Sequence, residues 1–134
     1  MNNIIKYKHN KNITYSCKYH VVWCTKYRRD LLKEQVVFDL KNIIQDISNN
    51  FNVEIIEIEV MPDHVHLLVD VDPQFGVHKY IKNIKGKSSK ILRDKHKPLK
   101  SRVPTLWTNS YFISTVGGVT LDVVKKYIED QKNV

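Results

Sequence analysis

The sequence predicts an α+β domain of the split βαβ, ferredoxin-like (RRM-like) kind: a four-stranded antiparallel sheet, two helices on one face, and a further C-terminal helix. Three observations predict it. Segments with a hydrophobic period of two and segments with the helical spacing of three and four follow in the order strand, helix, strand, strand, helix, strand. Turn-forming residues punctuate the junctions at Asn49-Asn50, Pro62-Asp63 and Pro73. A chain of 134 residues, 42% of them hydrophobic, fits one domain around one core, spanning 1–134.

Residues 1–12 are polar and basic and read as an N-terminal arm. Residues 14–25 are rich in β-branched and aromatic side chains (Tyr15, Tyr19, Val21, Val22, Trp23) and contain neither Gly nor Pro, which predicts a strand. Over 33–50, Val36, Val37, Leu40, Ile43, Ile44 and Ile47 have helical spacing. Residues 51–61 alternate, with Val53, Ile55 and Glu57 expected on one face and Glu54, Ile56 and Ile58 on the other. After the turn at Pro62-Asp63, the apolar run 64–71 is the next strand, antiparallel to the last. A second helix is expected over 77–93, with Tyr80, Ile81, Ile84, Ile91 and Leu92 as its apolar positions and Gly86 a weak point. The basic, proline-containing stretch 94–104 reads as a loop, and 111–116 as the fourth strand. Gly117-Gly118 is either a tight turn or a hinge. Thr120 suits a helix N-cap, and a mobile helix over 119–132 follows, with Leu121, Val124 and Ile128 on one face.

The chain carries 22 Lys plus Arg against 14 Asp plus Glu, a net charge of +8, which favours a polyanionic partner. Between residues 79 and 102 Asp94 is the sole acid, and Lys82, Lys85, Lys87, Lys90, Arg93 and Arg102 are candidates for DNA or RNA binding, a solvated helix face being the alternative. Trp107, Tyr111 and Phe112 follow and could stack bases, unless the core takes them. The N-terminus lacks the apolar region of a signal peptide, and no apolar run approaches the roughly 20 residues of a membrane span. Cys17 and Cys24 form no CxxC motif, so a cytoplasmic setting with reduced thiols is expected.

Two short patterns point to chemistry. In Met61-Pro62-Asp63-His64-Val65-His66, the two histidines stand two apart on a predicted strand and so share a face, about 7 Å apart along the backbone. That spacing lets both imidazoles reach one cation, although two ligands leave a metal site incomplete and an open-face packing pair has the same pattern. Tyr127 and Gln131 stand one turn apart on the last helix. A phenol can attack phosphorus, and a carboxamide oxygen can complete a metal site begun by two histidines. Of the other histidines, His20, His78 and His96 read as surface or packing residues.

Taken together, these segments resemble the single-tyrosine HUH transposases of the bacterial insertion-sequence 200/605 family. The resemblance rests on Tyr19-His20-Val21-Val22-Trp23 leading to Lys26-Tyr27-Arg28, on Met61 to His66, on Ile84-Lys85-Gly86-Lys87-Ser88-Ser89, on Trp107 with Ser110-Tyr111-Phe112 and Ser114-Thr115-Val116-Gly117, and on Tyr127-Ile128 with Gln131. It implies metal-dependent cleavage and strand transfer of single-stranded DNA at the hairpin-bearing ends of an insertion sequence. By this likeness His64, His66 and Gln131 hold Mg²⁺ or Mn²⁺, and Tyr127 forms a 5′-phosphotyrosine, releasing a 3′-OH. The resemblance also implies a homodimer in which one protomer's tyrosine helix can serve its partner's histidine pair. Two alternatives stand beside it. One is a non-catalytic single-stranded nucleic-acid-binding module of RRM-like fold, which would project aromatics from its central strands. The other is a related domain that processes repeat hairpins without mobilising itself.

Overall fold

The computed structural model describes residues 7–116 and 121–134. Its elements are β1 (Lys8–His9), β2 (Thr14–Tyr15), β3 (Lys18–Cys24), a 3₁₀ turn (Lys26–Arg28), α1 (Gln35–Asn50), β4 (Glu54–Met61), β5 (His64–Asp70), α2 (Val77–Lys95), α3 (Lys97–Arg102), β6 (Phe112–Thr115) and α4 (Leu121–Asp130). The main sheet has the order β4-β5-β3-β6, and all its pairs are antiparallel. With β3 and β5 central and β4 and β6 at the edges, this is the predicted split βαβ arrangement.

One sheet face is the core face. Val21 and Trp23 of β3 and Val65, Leu67 and Val69 of β5 meet Val36, Leu40, Ile44 and Ile47 of α1 and Tyr80, Ile81, Ile84 and Leu92 of α2. Burying such side chains is the main stabilising term, roughly 1.5–3 kcal/mol for each large one. Two polar groups within this core are paired, the Tyr80 hydroxyl lying 2.6 Å from Ser48 Oγ and Trp107 Nε1 donating to Ser88 Oγ at 2.9 Å, whereas Trp23 Nε1 has no partner among the described residues. The Trp107 ring meets Trp23 edge-on.

Several boundaries differ from the sequence reading. The strand expected over 14–25 is broken at Ser16–Cys17 into β2 and β3, where the buried Asp70 carboxylate accepts the Cys17 N–H at 3.0 Å. The described part of the arm is not loose: Lys8–His9 pairs with β2, and Asn10 donates to the Asp72 carboxylate. The expected loop at 94–104 contains α3. Pro98 sits in its first turn, where a missing N–H costs nothing, and buried Leu99 anchors it. Ile91, expected in the core, is 46% exposed.

The alternation expected in β4 is reset by a register shift between Ile55 and Glu57. Ile56 is the extra residue and is exposed, so Ile55, Ile58 and Val60 can all pack on the core. Gly117, Gly118 and Thr120, the expected hinge and cap, lie outside the described residues.

Candidate active site

The second sheet face carries the candidate residues. Because paired residues share a face, cross-strand rows can be read from the register. One row is Met61, His64, Cys24. The next is Glu59, His66, Val22, Phe112. The third is Glu57, Leu68, His20, Ser114. His64 and His66 therefore stand on one face, as their spacing predicts, while Val65 between them is fully buried.

Each imidazole has one ring nitrogen engaged by a neighbour, His64 through Nδ1 and His66 through Nε2. Asp63 Oδ1 lies 2.7 Å from His64 Nδ1, so Nδ1 donates to the carboxylate and Nε2 is the nitrogen a cation could take. Burial raises the Asp63 carboxyl, but hydrogen bonds from His64 and from Arg28 Nε (3.0 Å) outweigh it and keep the group ionised below the usual range. His66 Nε2 lies 3.2 Å from His20 Nδ1, with the two rings 5.4 Å apart between centroids. Burial, and then the neighbouring His20, keep His66 neutral to lower pH than usual. A neutral imidazole is the form that binds a metal.

Helix α4 packs across this same face against β3. The Tyr127 ring tilts against Phe112, centroids 5.5 Å apart. Phe112 and His66 are two strands apart in one row, about 10 Å at the backbone from the usual strand spacing. The Tyr127 hydroxyl lies 3.0 Å from Ser110 Oγ, and Ser110 Oγ donates to Gln131 Oε1 at 3.2 Å. Gln131 is buried. Burial raises the Tyr127 phenol above its ordinary pKa, the Ser110 hydrogen bond pulling the other way, so the resting side chain is a neutral phenol at pH 7. The chain end is fixed too: the Tyr27 N–H donates to the Val134 carbonyl at 2.9 Å.

The basic residues separate into two groups. Lys82, Lys87, Lys90 and Arg102 are exposed and have no hydrogen-bond or ion-pair partner among the described residues. Lys85 is half-buried, and its ammonium donates to the carbonyls of Thr108 (2.7 Å) and Ser110 (2.9 Å). Burial lowers its pKa to about 8. Arg93 donates to the Val103 carbonyl at 3.2 Å. Trp107 belongs to the core.

Sequence reasoning passed over two residues. His20 was indistinguishable from a packing histidine because its neighbour, His66, is 46 positions away. Ser110 gave no local signal, although it joins Tyr127, Gln131 and Lys85. Among the described residues no group of three or more His, Cys, Asp or Glu is placed to hold a metal. A cation at the histidine pair therefore needs a ligand of another type, and the Gln131 carboxamide, in the turn just after α4, has the right chemistry. No helix among the described residues is long and apolar enough to cross a membrane.

Comparison with known proteins agrees with this architecture. The family described as "Transposase IS200 like" matches residues 13–131. The ISDra2 transposase TnpA of Deinococcus radiodurans is 38% identical over 129 residues, covering 95% of this chain and 92% of the relative. The transposase for insertion sequence element IS200 of Salmonella typhimurium is 32% identical over 123 residues, covering 88% of this chain and 81% of that protein. A crystal structure of a candidate transposase from Deinococcus radiodurans superposes with a TM-score of 0.86 at 35% identity, covering 95% of this chain and 99% of the other. A REP-associated tyrosine transposase bound to a REP hairpin shares the fold at a TM-score of 0.58 and 11% identity, over 91% of this chain and 68% of its own. A match over nearly the whole domain, with relatives above 30% identity, places the chain in the IS200-like transposase family.

Proposed function

We propose that the protein cuts and rejoins single-stranded DNA at hairpin-bearing ends of an insertion sequence, with Tyr127 as the nucleophile. The observation that carries this is that Tyr127, Ser110 and Gln131 form a continuous hydrogen-bonded set, with Tyr127 packed on Phe112, over the same sheet face that bears the His64–His66 pair. In the forward step the Tyr127 oxygen bonds to phosphorus and the bond from phosphorus to the 3′ oxygen breaks. The phenolic proton is lost and the departing 3′ oxygen takes one up, so a 5′-phosphotyrosine and a 3′-OH result. Rejoining is the reverse exchange, and since one phosphoester replaces another, no ATP is needed.

His64, His66 and Gln131 would hold the divalent cation, Mg²⁺ or Mn²⁺. When bound, such an ion polarises the scissile phosphate and stabilises the developing charge. The protein's own part is orientation: Asp63 and His20 fix the two imidazoles, and Ser110 holds the phenol and the carboxamide. That a REP-associated tyrosine transposase of this fold is bound to a REP hairpin supports a hairpin substrate. The same reading takes the working unit as a homodimer, in which the tyrosine helix serves its own histidine pair or the partner's.

The non-catalytic reading is less well supported. On this second face the central strands carry Lys18, His20, Val22, Cys24, His64, His66, Leu68 and Asp70, with no Phe, Tyr or Trp for bases to stack on. The test is incubation with a hairpin-bearing single strand and Mg²⁺, followed by a denaturing gel. A covalent adduct is expected, absent with Tyr127→Phe and with chelator. An adduct that persists in Tyr127→Phe overturns the assignment.

A further inference from the structure

Beyond residues 108–111, away from Tyr127, lies a cavity of about 430 Å³. Lys82, Gly86 and Ser89 of α2 line one side, and Thr105, Asn109 and Tyr111 line the other. Its volume falls in the range of sites that take one small ligand.

Four features describe the ligand. The first is Gly86. A glycine inside a helix weakens it, and the usual compensation is tight packing. Here a Cβ would meet nothing within 4 Å, so no neighbour in the fold requires the glycine. The missing side chain leaves bare helix backbone facing the cavity. The second is charge: no Asp or Glu lines the cavity, while Lys82 is exposed and has no partner among the described residues. The third is a fixed ring. Tyr111 stacks on His78 with centroids 5.9 Å apart, its hydroxyl 2.8 Å from His78 Nδ1. Asn109 beside it offers both a donor and an acceptor to a base edge. The fourth is position. Ser110 lies between the cavity residues Asn109 and Tyr111, and its own hydroxyl contacts Tyr127 and Gln131. One short segment thus has the cavity on one side and the tyrosine on the other.

We propose that this cavity holds one unpaired nucleotide of the DNA strand next to the phosphodiester attacked by Tyr127. Its base lies against Tyr111, and its phosphate meets Lys82. The bare backbone at Gly86 gives the sugar or base edge room. The proposal rests on the cleavage reading for which strand is bound, and its test is a binding measurement independent of cleavage.

The probe is an oligodeoxythymidine strand carrying a single 2-aminopurine, titrated with the full chain by fluorescence. Wild-type protein is expected to quench the 2-aminopurine on binding, because the base stacks on Tyr111. Gly86→Leu, which fills the cavity from an unobstructed position, is expected to lose the quench and weaken binding about tenfold, the scale of one lost base stack. Tyr111→Leu should do the same. Binding without quench by the wild type, or wild-type affinity in a Gly86→Leu protein that melts at the normal temperature, overturns the proposal. The wild-type quench needs no variant and decides the matter if Gly86→Leu fails to fold. Quench without any covalent adduct on hairpin DNA sinks the cleavage reading and leaves the cavity standing. An adduct on hairpin DNA together with normal probe binding by Gly86→Leu does the reverse.

Discussion

Ser110 and Tyr127 lie with their hydroxyl oxygens 3.0 Å apart, and the same serine hydroxyl donates to Gln131. Lys85 holds the serine from behind through its carbonyl. One side chain therefore positions both the proposed nucleophile and the carboxamide. Ser110→Ala should slow adduct formation about five- to tenfold, the effect of one lost hydrogen bond of about 1 kcal/mol. It should leave DNA affinity within about twofold. Because the serine hydrogen bond lowers the Tyr127 pKa, the rate of the variant should need a higher pH to reach half its maximum. A single-turnover rate profile against pH checks this, and an unshifted profile with a normal rate removes Ser110 from the mechanism.

The outer partners of the histidines should act on metal affinity. Asp63→Asn and His20→Ala are each expected to weaken Mn²⁺ binding about 10- to 100-fold, the usual effect of losing a residue that orients a metal ligand. Isothermal titration with Mn²⁺ on the folded protein measures it. Unchanged affinity in both variants would mean that the cation sits elsewhere.

The basic residues of α2 should divide by their contacts. Lys82→Ala and Lys87→Ala should each flatten the salt dependence of DNA binding by about one unit of slope, as expected for a lost phosphate contact. Lys85→Met should instead lower thermal stability, since its ammonium is bonded to the Thr108 and Ser110 carbonyls. Affinity measured across a salt series, alongside melting curves, separates the two effects. A Lys85→Met protein with normal melting would contradict the assignment.

Acid sensitivity has a local source at Asp39. Hydrogen bonds from His96 (2.7 Å) and Lys95 lower its carboxyl pKa to about 2, against 3.8 normally. A carboxylate with a depressed folded-state pKa contributes stability that is complete above the unfolded pKa. That contribution fades as pH falls toward 2. Asp39→Asn should therefore be less stable than wild type at pH 7, and the gap should close between pH 4 and about 2. Denaturant melts at several pH values test it, and a gap that stays constant with pH would exclude this ion pair as the cause.

The fold was legible because its determinants are local. Alternation and helical spacing locate every strand of the main sheet and the helices α1, α2 and α4, and the two-residue spacing of His64 and His66 fixes their shared face. What escaped depends on contacts distant in sequence. The break at Ser16–Cys17 is stabilised by Asp70, 53 positions from Cys17. The β4 register shift follows from fitting Ile55, Ile58 and Val60 into a core built by other elements. Pro98 suggested a loop, but proline is equally at home in a helix's first turn, and only the burial of Leu99 decides between them. The site was half legible for the same reason: Tyr127 and Gln131 reveal their relationship by spacing, whereas His20 and Ser110 acquire theirs only when the chain has folded.

The account turns on which atom carries the DNA. Wild-type protein should be incubated with a hairpin-bearing single strand and Mn²⁺, digested with nuclease and protease, and analysed by tandem mass spectrometry. The account predicts a nucleotide linked through a 5′ phosphate to the peptide containing Tyr127, and no such peptide after chelation. A nucleotide attached to any other residue, or an adduct of equal yield without metal, would contradict it.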